Sequence, residues 1–132
     1  MHAFLVELDN KAGELARITE AIAAKGIDIR GVSGSTSGSS GSLALMTDDE
    51  AKTRQVLTEK AAKFRELEVT EASVGQAPGS LAKAARRLAD AGVNVEALMP
   101  TGMTGTEVTI AFITSDPAKA KSILAHAGST AG

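Results

Sequence analysis

The sequence predicts an α+β fold, used twice in one chain. Three observations predict it. The chain repeats itself at an offset of about 66 residues. Each copy alternates strand-like runs of period two with helix-like runs of period 3.6. Its hydrophobic content, 43% of 132 residues, is almost wholly aliphatic: three Phe and no Trp or Tyr, so the core must be built from Ala, Val, Ile and Leu.

The repeat is visible by direct superposition. NKAGELARITEAIAAKGIDIRGV (10–32) aligns without a gap on QAPGSLAKAARRLADAGVNVEAL (76–98). Gly13 meets Gly79, Leu15 meets Leu81, Ile22 meets Leu88, and Gly26 meets Gly92. Ile27 and Ile29 meet Val93 and Val95. Farther on, LALMTDDEAKTRQVL (43–57) aligns with IAFITSDPAKAKSIL (110–124) after a shift of one residue. The chain therefore divides into two units, expected at 1–68 and 69–132, with the seam near residues 66–70.

Each element of a unit follows from its pattern. AFLVEL (3–8) alternates Phe4, Val6 and Leu8, which suits a strand. AGELARITEAIAAKG carries Leu15, Ile18 and Ile22 at helical spacing, with Glu14, Arg17, Glu20 and Lys25 on the other side. Gly26 sits where a helix stops in a left-handed residue. IDIRGV alternates again, and SLALMT is a third strand. DDEAKTRQVLTEKAAKF opens with acids, as helices favour, and turns Val56, Leu57 and Phe64 inward. LEVTEASV (67–74) combines a closing strand with the opening strand of the second copy. That copy repeats the order, with Leu81, Ala84 or Ala85, and Leu88 inward. Ser115 or Asp116 caps its last helix, and Pro117 stands at the first helical position. Two βαββαβ units result, each a ferredoxin-like antiparallel sheet with its helices on one face, expected side by side.

Residues 33–42 are Ser, Gly and one Thr. Such a composition usually marks a linker. Here it falls inside a unit, between two strand-like pieces, and its counterpart is MPTGMTGTE (99–107). It is expected to be a long hairpin loop with a mobile tip; a lid over a ligand is the functional alternative. No Lys follows its glycines and no helix opens behind it, so it is not a phosphate-binding loop.

Several function classes are disfavoured. There is no Cys, so no disulfide, thiolate metal site or cysteine nucleophile. The net charge is -2, and the strands lack base-stacking aromatics, so no nucleic-acid partner is expected. No apolar run is long enough to span a bilayer, and MHAFLVELDNK has no basic head; a cytoplasmic protein without membrane contact is the expectation. No nucleophile–base pair or cofactor motif is visible, so neither an enzyme nor a cofactor is expected. Asp48 and Asp49 resemble a catalytic pair but start a helix, where acids are stabilised anyway. His2 and His126 lie near the two ends, with no ligands at metal spacing in the sequence. Arg86 and Arg87 read as a solvated helix face.

The stretches LDNKAGELARITEAIAAKGIDI and QAPGSLAKAARRLADAGVNV carry a specific likeness. They resemble the opening of ACT domains, small regulatory modules that bind amino acids: a strand, a polar residue, a loop ending in Pro-Gly, then Leu and a helix closing on a GINI-like strand start. DDEAKTRQVL and SDPAKAKSILAHAG resemble the family's second half. The likeness covers nearly the whole chain, twice, as in stand-alone tandem ACT proteins. Ala12 stands where the family usually has Pro, and Gln76 where Asn is common.

The resemblance implies a non-catalytic amino-acid sensor, with the ligand held at the first strand–helix loops where two ACT units meet. The loop chemistry suits a zwitterion. A helix N-terminus offers unpaired N–H groups to a carboxylate, Gly13 and Gly79 permit close approach, Asn10 can accept or donate, and Asp9 adds negative charge. The candidate ligand-binding residues are Asp9, Asn10, Ala12, Gly13, Leu15, Ile27 and Asp28. Their counterparts are Gln76, Pro78, Gly79, Leu81, Val93 and Asn94. On local spacing alone, Gly13 and Gly79 also fit a plain tight turn, Asn10 the satisfaction of that turn, and Leu15 and Leu81 the core. Expected partners are a small amino acid and a second copy of the chain in a homodimer. The alternative is a regulatory subunit of a separate amino-acid biosynthetic enzyme.

Overall fold

Strand β1 runs His2–Asp9 and buries Phe4 and Val6 on one side, as its alternation requires. Helix α1 (Glu14–Ala23) follows, then β2 (Ile29–Ser37), β3 (Ser40–Thr47), α2 (Glu50–Glu59) and β4 (Phe64–Glu68). The order then recurs as β5 (Thr70–Gly75), α3 (Ser80–Asp90), β6 (Val95–Met103), β7 (Glu107–Thr114) and α4 (Pro117–Thr130). The computed structural model describes the backbone of residues 1–130 and the side chains of residues 1–125. The side chain of His126 lies outside that range. The chain divides into two units, Met1–Leu67 and Glu68–Gly132.

The first unit holds a four-stranded sheet in the order β2-β3-β1-β4, the second a three-stranded sheet in the order β5-β7-β6. β3 runs antiparallel to both β1 and β2, and β7 to both β5 and β6. This is the predicted ferredoxin-like α+β arrangement. The described residues of the second unit end in α4, so the closing strand that the sequence leaves room for has no counterpart among them.

The first core joins Phe4, Val6, Leu43 and Leu45 from the sheet to Ile18 and Ile22 of α1 and Val56 and Leu57 of α2. Phe64 adds a tilted ring contact to Phe4, centroids 6.0 Å apart. Phe64 belongs to β4 and not to α2, which stops five residues earlier than the sequence pattern suggests. The stop is a left-handed Ala61 (φ 54), with Ala61 N–H donating to Thr58 O and Ala62 N–H to Leu57 O. A left-handed alanine is an unusual terminator, and that is why the sequence concealed it. Gly26 and Gly92 end α1 and α3 by the same pattern of bonds, as expected. In the second core Ala84, not Ala85, joins Leu88, Ile110, Phe112 and Leu124. Truncating a fully buried Phe112 or Phe4 to Ala costs about 3–5 kcal/mol in such a setting.

The Ser/Gly run is not a long loop. Residues 33–37 and 40–42 lie in paired strands, with Gly34 opposite Leu43, Ser35 opposite Ser42 and Thr36 opposite Gly41. Only Gly38 and Ser39 form the turn, and Gly38 takes φ +61, as the first residue of a tight hairpin turn demands. In the second unit the loop likewise shrinks to residues 104–106, where Thr104 N–H donates to Glu107 O at 2.8 Å. Small side chains here are strand residues whose ladder bonds make up for weak intrinsic preference. The run is therefore a paired hairpin with a two-residue turn, and not the long loop expected from its composition.

The acids and caps behave as expected. Asp49 caps α2 by accepting from Lys52 N–H at 3.0 Å, and Asp116 caps α4 by accepting from Lys119 N–H at 3.1 Å. One buried detail differs between units. Thr47 and Thr53 share a hydrogen bond at 2.7 Å. Their counterparts are Thr114 and Ala120, and the buried Thr114 hydroxyl has no partner. An unpaired buried hydroxyl costs about 1–3 kcal/mol. Thr114→Val, which keeps the shape, is therefore expected to stabilise the protein by about 1 kcal/mol in urea unfolding; equal or lower stability would refute this account.

Glu66 joins β4 to β1 and α2. Arg54 holds both its oxygens, at 2.6 and 2.8 Å, and His2 Nδ1 lies 2.6 Å away. The Arg54 hydrogen bonds first, then His2, pull its carboxyl from an ordinary 4.5 down to about 2. A depressed carboxylate stabilises the fold above its unfolded value and ceases to do so as pH falls through the folded one. The stability gap between the native protein and Glu66→Gln is thus expected to be full above about pH 4.5 and to close as pH falls towards 2. A gap independent of pH across that window would contradict it.

Candidate functional site

The β1–α1 loop is fastened to the β2–β3 turn. Asn10 N–H donates to Ser39 O and its Nδ2 donates to Gly38 O, both at 2.9 Å. One amide hydrogen of Asn10 is therefore spent inside the protein, as the bland reading of this residue anticipates. The second unit repeats the fastening: Gln76 N–H donates to Thr106 O at 2.9 Å and Nε2 to Thr104 O at 2.8 Å. Asn and Gln thus serve as equivalents despite their different lengths.

The chain then turns at Gly13 (φ +93) and Gly79 (φ +86), the N-cap residues of α1 and α3. A left-handed backbone explains the glycine at both positions. A Cβ added at either would meet nothing within 4 Å, so the space beyond the turn is open. Neither helix has a side-chain cap, in contrast to α2 and α4. Glu14 N–H and Ser80 N–H, the first of each helix, donate to Lys11 O and Ala77 O, so the first-turn N–H groups left for an outside acceptor are those of Leu15 and Ala16 and of Leu81 and Ala82. Asp9, Ala12, Pro78 and Gln76 are exposed around these turns.

Leu15 and Leu81 are not core residues. They are 54% and 43% exposed, while Ile18, Ile22, Ala84 and Leu88 fill the interior. An apolar residue at correct helical spacing thus stays partly in solvent in the first turn of each helix. Val32 and Leu98, equivalent positions on β2 and β6, are also exposed, at 51% and 41%.

The remaining candidates lie elsewhere in their units. Ile27 and Val93 are buried in the two cores. Asp28 N–H donates to Asp48 Oδ1 at 2.9 Å while Asp28 O accepts from Asp48 N–H at 3.1 Å. Asn94 makes the same pair of bonds with Ser115. These segments follow the C-terminal ends of α1 and α3, about 15 Å along the helix from the glycine turn. Within one unit the structure gathers residues 9–15, and residues 76–81, but does not bring Ile27, Asp28, Val93 or Asn94 to them.

In the first unit the loop overlooks a cleft of about 500 Å³. Leu8, Leu15, Val32 and Leu43 supply apolar walls; Asp9, Asn10, Lys11, Glu14 and Thr36 supply a polar and charged rim; Gly34 and Gly41 line it without side chains. A second depression of about 720 Å³ adjoins it towards Glu7, Arg17 and Lys63. Arg17 Nε donates to Glu14 at 3.0 Å and holds that carboxyl below the ordinary range. The sequence reading missed Val32, Gly34 and Gly41, because it placed two of them in a mobile tip. The signal was present: in the repeat, Gly41 faces Val108.

One further cluster was hidden in the sequence. His2 meets Glu50 and Glu66, 48 and 64 residues away, with their ligand atoms within 4.8 Å of one another. Arg54 already occupies both oxygens of Glu66, so the group is an ion-paired knot.

Residues 2–64 match the ACT domain family. Among curated proteins none matches at the sequence level. A protein from Bacteroides thetaiotaomicron has a similar solved structure: TM-score 0.78, 22% identity, over 95% of this chain and 86% of that one. The ligand-free regulatory subunit of aspartate kinase from Thermus thermophilus is similar at TM-score 0.68 and 18% identity, over 96% and 91% of the two chains. A structure of aspartokinase alpha and beta subunits gives 0.66 and 21%, over 96% and 91%. At these identities the likeness is one of fold. The family match is confined to residues 2–64, within the first unit.

Proposed function

We propose that this chain is a non-catalytic regulatory protein, a tandem of two ACT units, that senses a free amino acid. The ligand's carboxylate would take the uncapped N–H groups of the first turn after Gly13, where the macrodipole favours negative charge. Its ammonium would face Asp9 and the remaining acceptors around Asn10. Ala12 and Leu15 would border it. Gln76, Pro78, Gly79 and Leu81 are the corresponding loop residues of the second unit. Ile27, Asp28, Val93 and Asn94 would contribute only from another ACT unit facing the loop, so that each ligand is shared between two units. The observation that carries the reading is an uncapped helix start whose flanking residues, Asp9 to Lys11 and Glu14 and Leu15, line a cleft with apolar walls. The ACT match over residues 2–64 supports it independently.

Sensing would work by population shift: the ligand favours whichever packing of units or chains completes its contacts. A homodimer is the assembly this reading expects. The fold shared with an aspartate kinase regulatory subunit favours a second form of the reading, in which the chain regulates a separate biosynthetic enzyme; co-purification with that enzyme would identify it.

A thermal-shift screen of the standard amino acids tests the proposal. One or more is expected to raise the melting temperature with concentration, by about 2.7 kcal/mol of stabilisation at a hundredfold excess over Kd. Gly13→Val is expected to weaken that binding by about tenfold or more, beyond the ~1–2 kcal/mol of strain that a side chain at this φ imposes on the fold itself. If no amino acid shifts the melt, the sensor reading is lost.

A further inference from the structure

We infer that the first unit's cleft is the side-chain pocket for an aliphatic amino acid and that the second unit has no such pocket, so that each chain holds one ligand. The inference rests on the sensor reading above and makes it specific. Its basis is a difference between two copies of one design.

Cross-strand partners in an antiparallel sheet share a face. On the helix-covered face of the first sheet, Leu8 stands opposite Gly41, which stands opposite Thr36; in the next row Leu43 stands opposite Gly34. Two glycines therefore lie beneath the β1–α1 loop, where the cleft opens. In the second unit the same places carry side chains. Val74 stands opposite Val108, and Ile110 opposite Pro100. Val74 is buried, Val108 packs against the second core, and a one-residue irregularity between Pro100 and Gly102 bends β6 at this point. A Cβ at Gly41 would come within 3.1 Å of Ser35 O and 3.2 Å of Thr36 Cγ2, so any side chain there must enter the cleft or displace its wall.

The walls select the ligand's chemistry. Leu15 and Val32 are each about half exposed at the mouth, with Leu8 and Leu43 deeper. An aliphatic side chain covers all four; the charged residues that also line the cleft, Asp9, Lys11 and Glu14, belong to the end of β1, the loop and the start of α1, so a charged side chain laid against the four apolar walls would lose water there. The polar rim and the uncapped turn remain for the carboxylate and ammonium. The cleft's size is within the range of small-molecule sites.

Calorimetry on the full chain decides it, with L-leucine, L-isoleucine, L-valine and L-methionine as probes and L-aspartate and L-lysine as charged comparisons. The expected result is one aliphatic amino acid per chain, bound about tenfold or more tighter than either charged one. Gly41→Val, which installs the second unit's residue, is expected to weaken binding by about tenfold or more. Val32→Ser alters only an exposed wall, so it tests the cleft even if Gly41→Val unfolds; it is expected to weaken binding severalfold, roughly the loss of two buried carbon groups. Two ligands per chain, a charged amino acid preferred, or Val32→Ser binding as the native protein does would each overturn the inference. If amino acids bind and Gly13→Val weakens them while Val32→Ser does not, this pocket is wrong and the sensor reading stands. If no amino acid binds, both fall.

Discussion

The left-handed backbone at Gly13, and at Gly79 in the second unit, is the constraint on which the rest of the arrangement depends. A strand must stop, reverse its hand and start a helix within a few residues. A residue with a Cβ is disfavoured in that conformation, and a glycine carries no side chain to cap the helix it begins. Solving the geometric problem therefore leaves a chemical vacancy: amides at the positive end of a helix, facing open space. The turn is held in place from below by the Asn10 and Gln76 clamps to the hairpin ends. Those clamps connect the loop to the very strands that form the cleft, so loop and cleft are one structural object.

Duplication lets the two units serve as controls for each other. Where both copies agree, the shared feature belongs to the fold: the clamps, the uncapped turns, the paired bonds of Asp28 with Asp48 and of Asn94 with Ser115, and the outward Leu15 and Leu81. Where they disagree, the difference needs its own cause. Thr53 gives way to Ala120, and the Thr114 hydroxyl is orphaned as a result. Gly41 gives way to Val108, and a cleft-lining glycine opposite Leu8 becomes a side chain packed against the second core opposite Val74.

Much of this was legible in the sequence, for reasons that are local. The alternation of Phe4, Val6 and Leu8, the spacing of Ile18 and Ile22, and the glycine stops at Gly26 and Gly92 are all decided within one turn or one strand. What misled were properties set by neighbours distant in the chain. Residues 33–42 have the composition of a linker, but pairing with the apolar strand LALMT and with β1 makes them strand. Leu15 satisfies helical periodicity, yet it stays about half exposed beside the cleft and does not join the core. His2 finds Glu50 and Glu66 only after the sheet has formed. Ile27 and Asp28 adjoin the loop in the alignment of motifs but are carried a helix length away from it in space.

The glycines of the first hairpin also bear on why a cleft persists there. Glycine inside a strand lowers stability by roughly 0.5–1 kcal/mol against a residue with a side chain, and an underfilled apolar site loses dispersion contacts as well. The second unit shows that this fold accepts Val and Pro at those places and gains core packing from Val108. The first unit's backbone is too close for the same exchange: a Cβ at Gly41 would lie 3.1 Å from Ser35 O, and one at Gly34 3.3 Å from Leu43 Cδ1. The result is a cleft walled by Leu8 and Leu43, fronted by half-exposed Leu15 and Val32, and set beside a helix start that has no side-chain cap. The physical asymmetry points to the first unit as the one that has kept room for something other than itself.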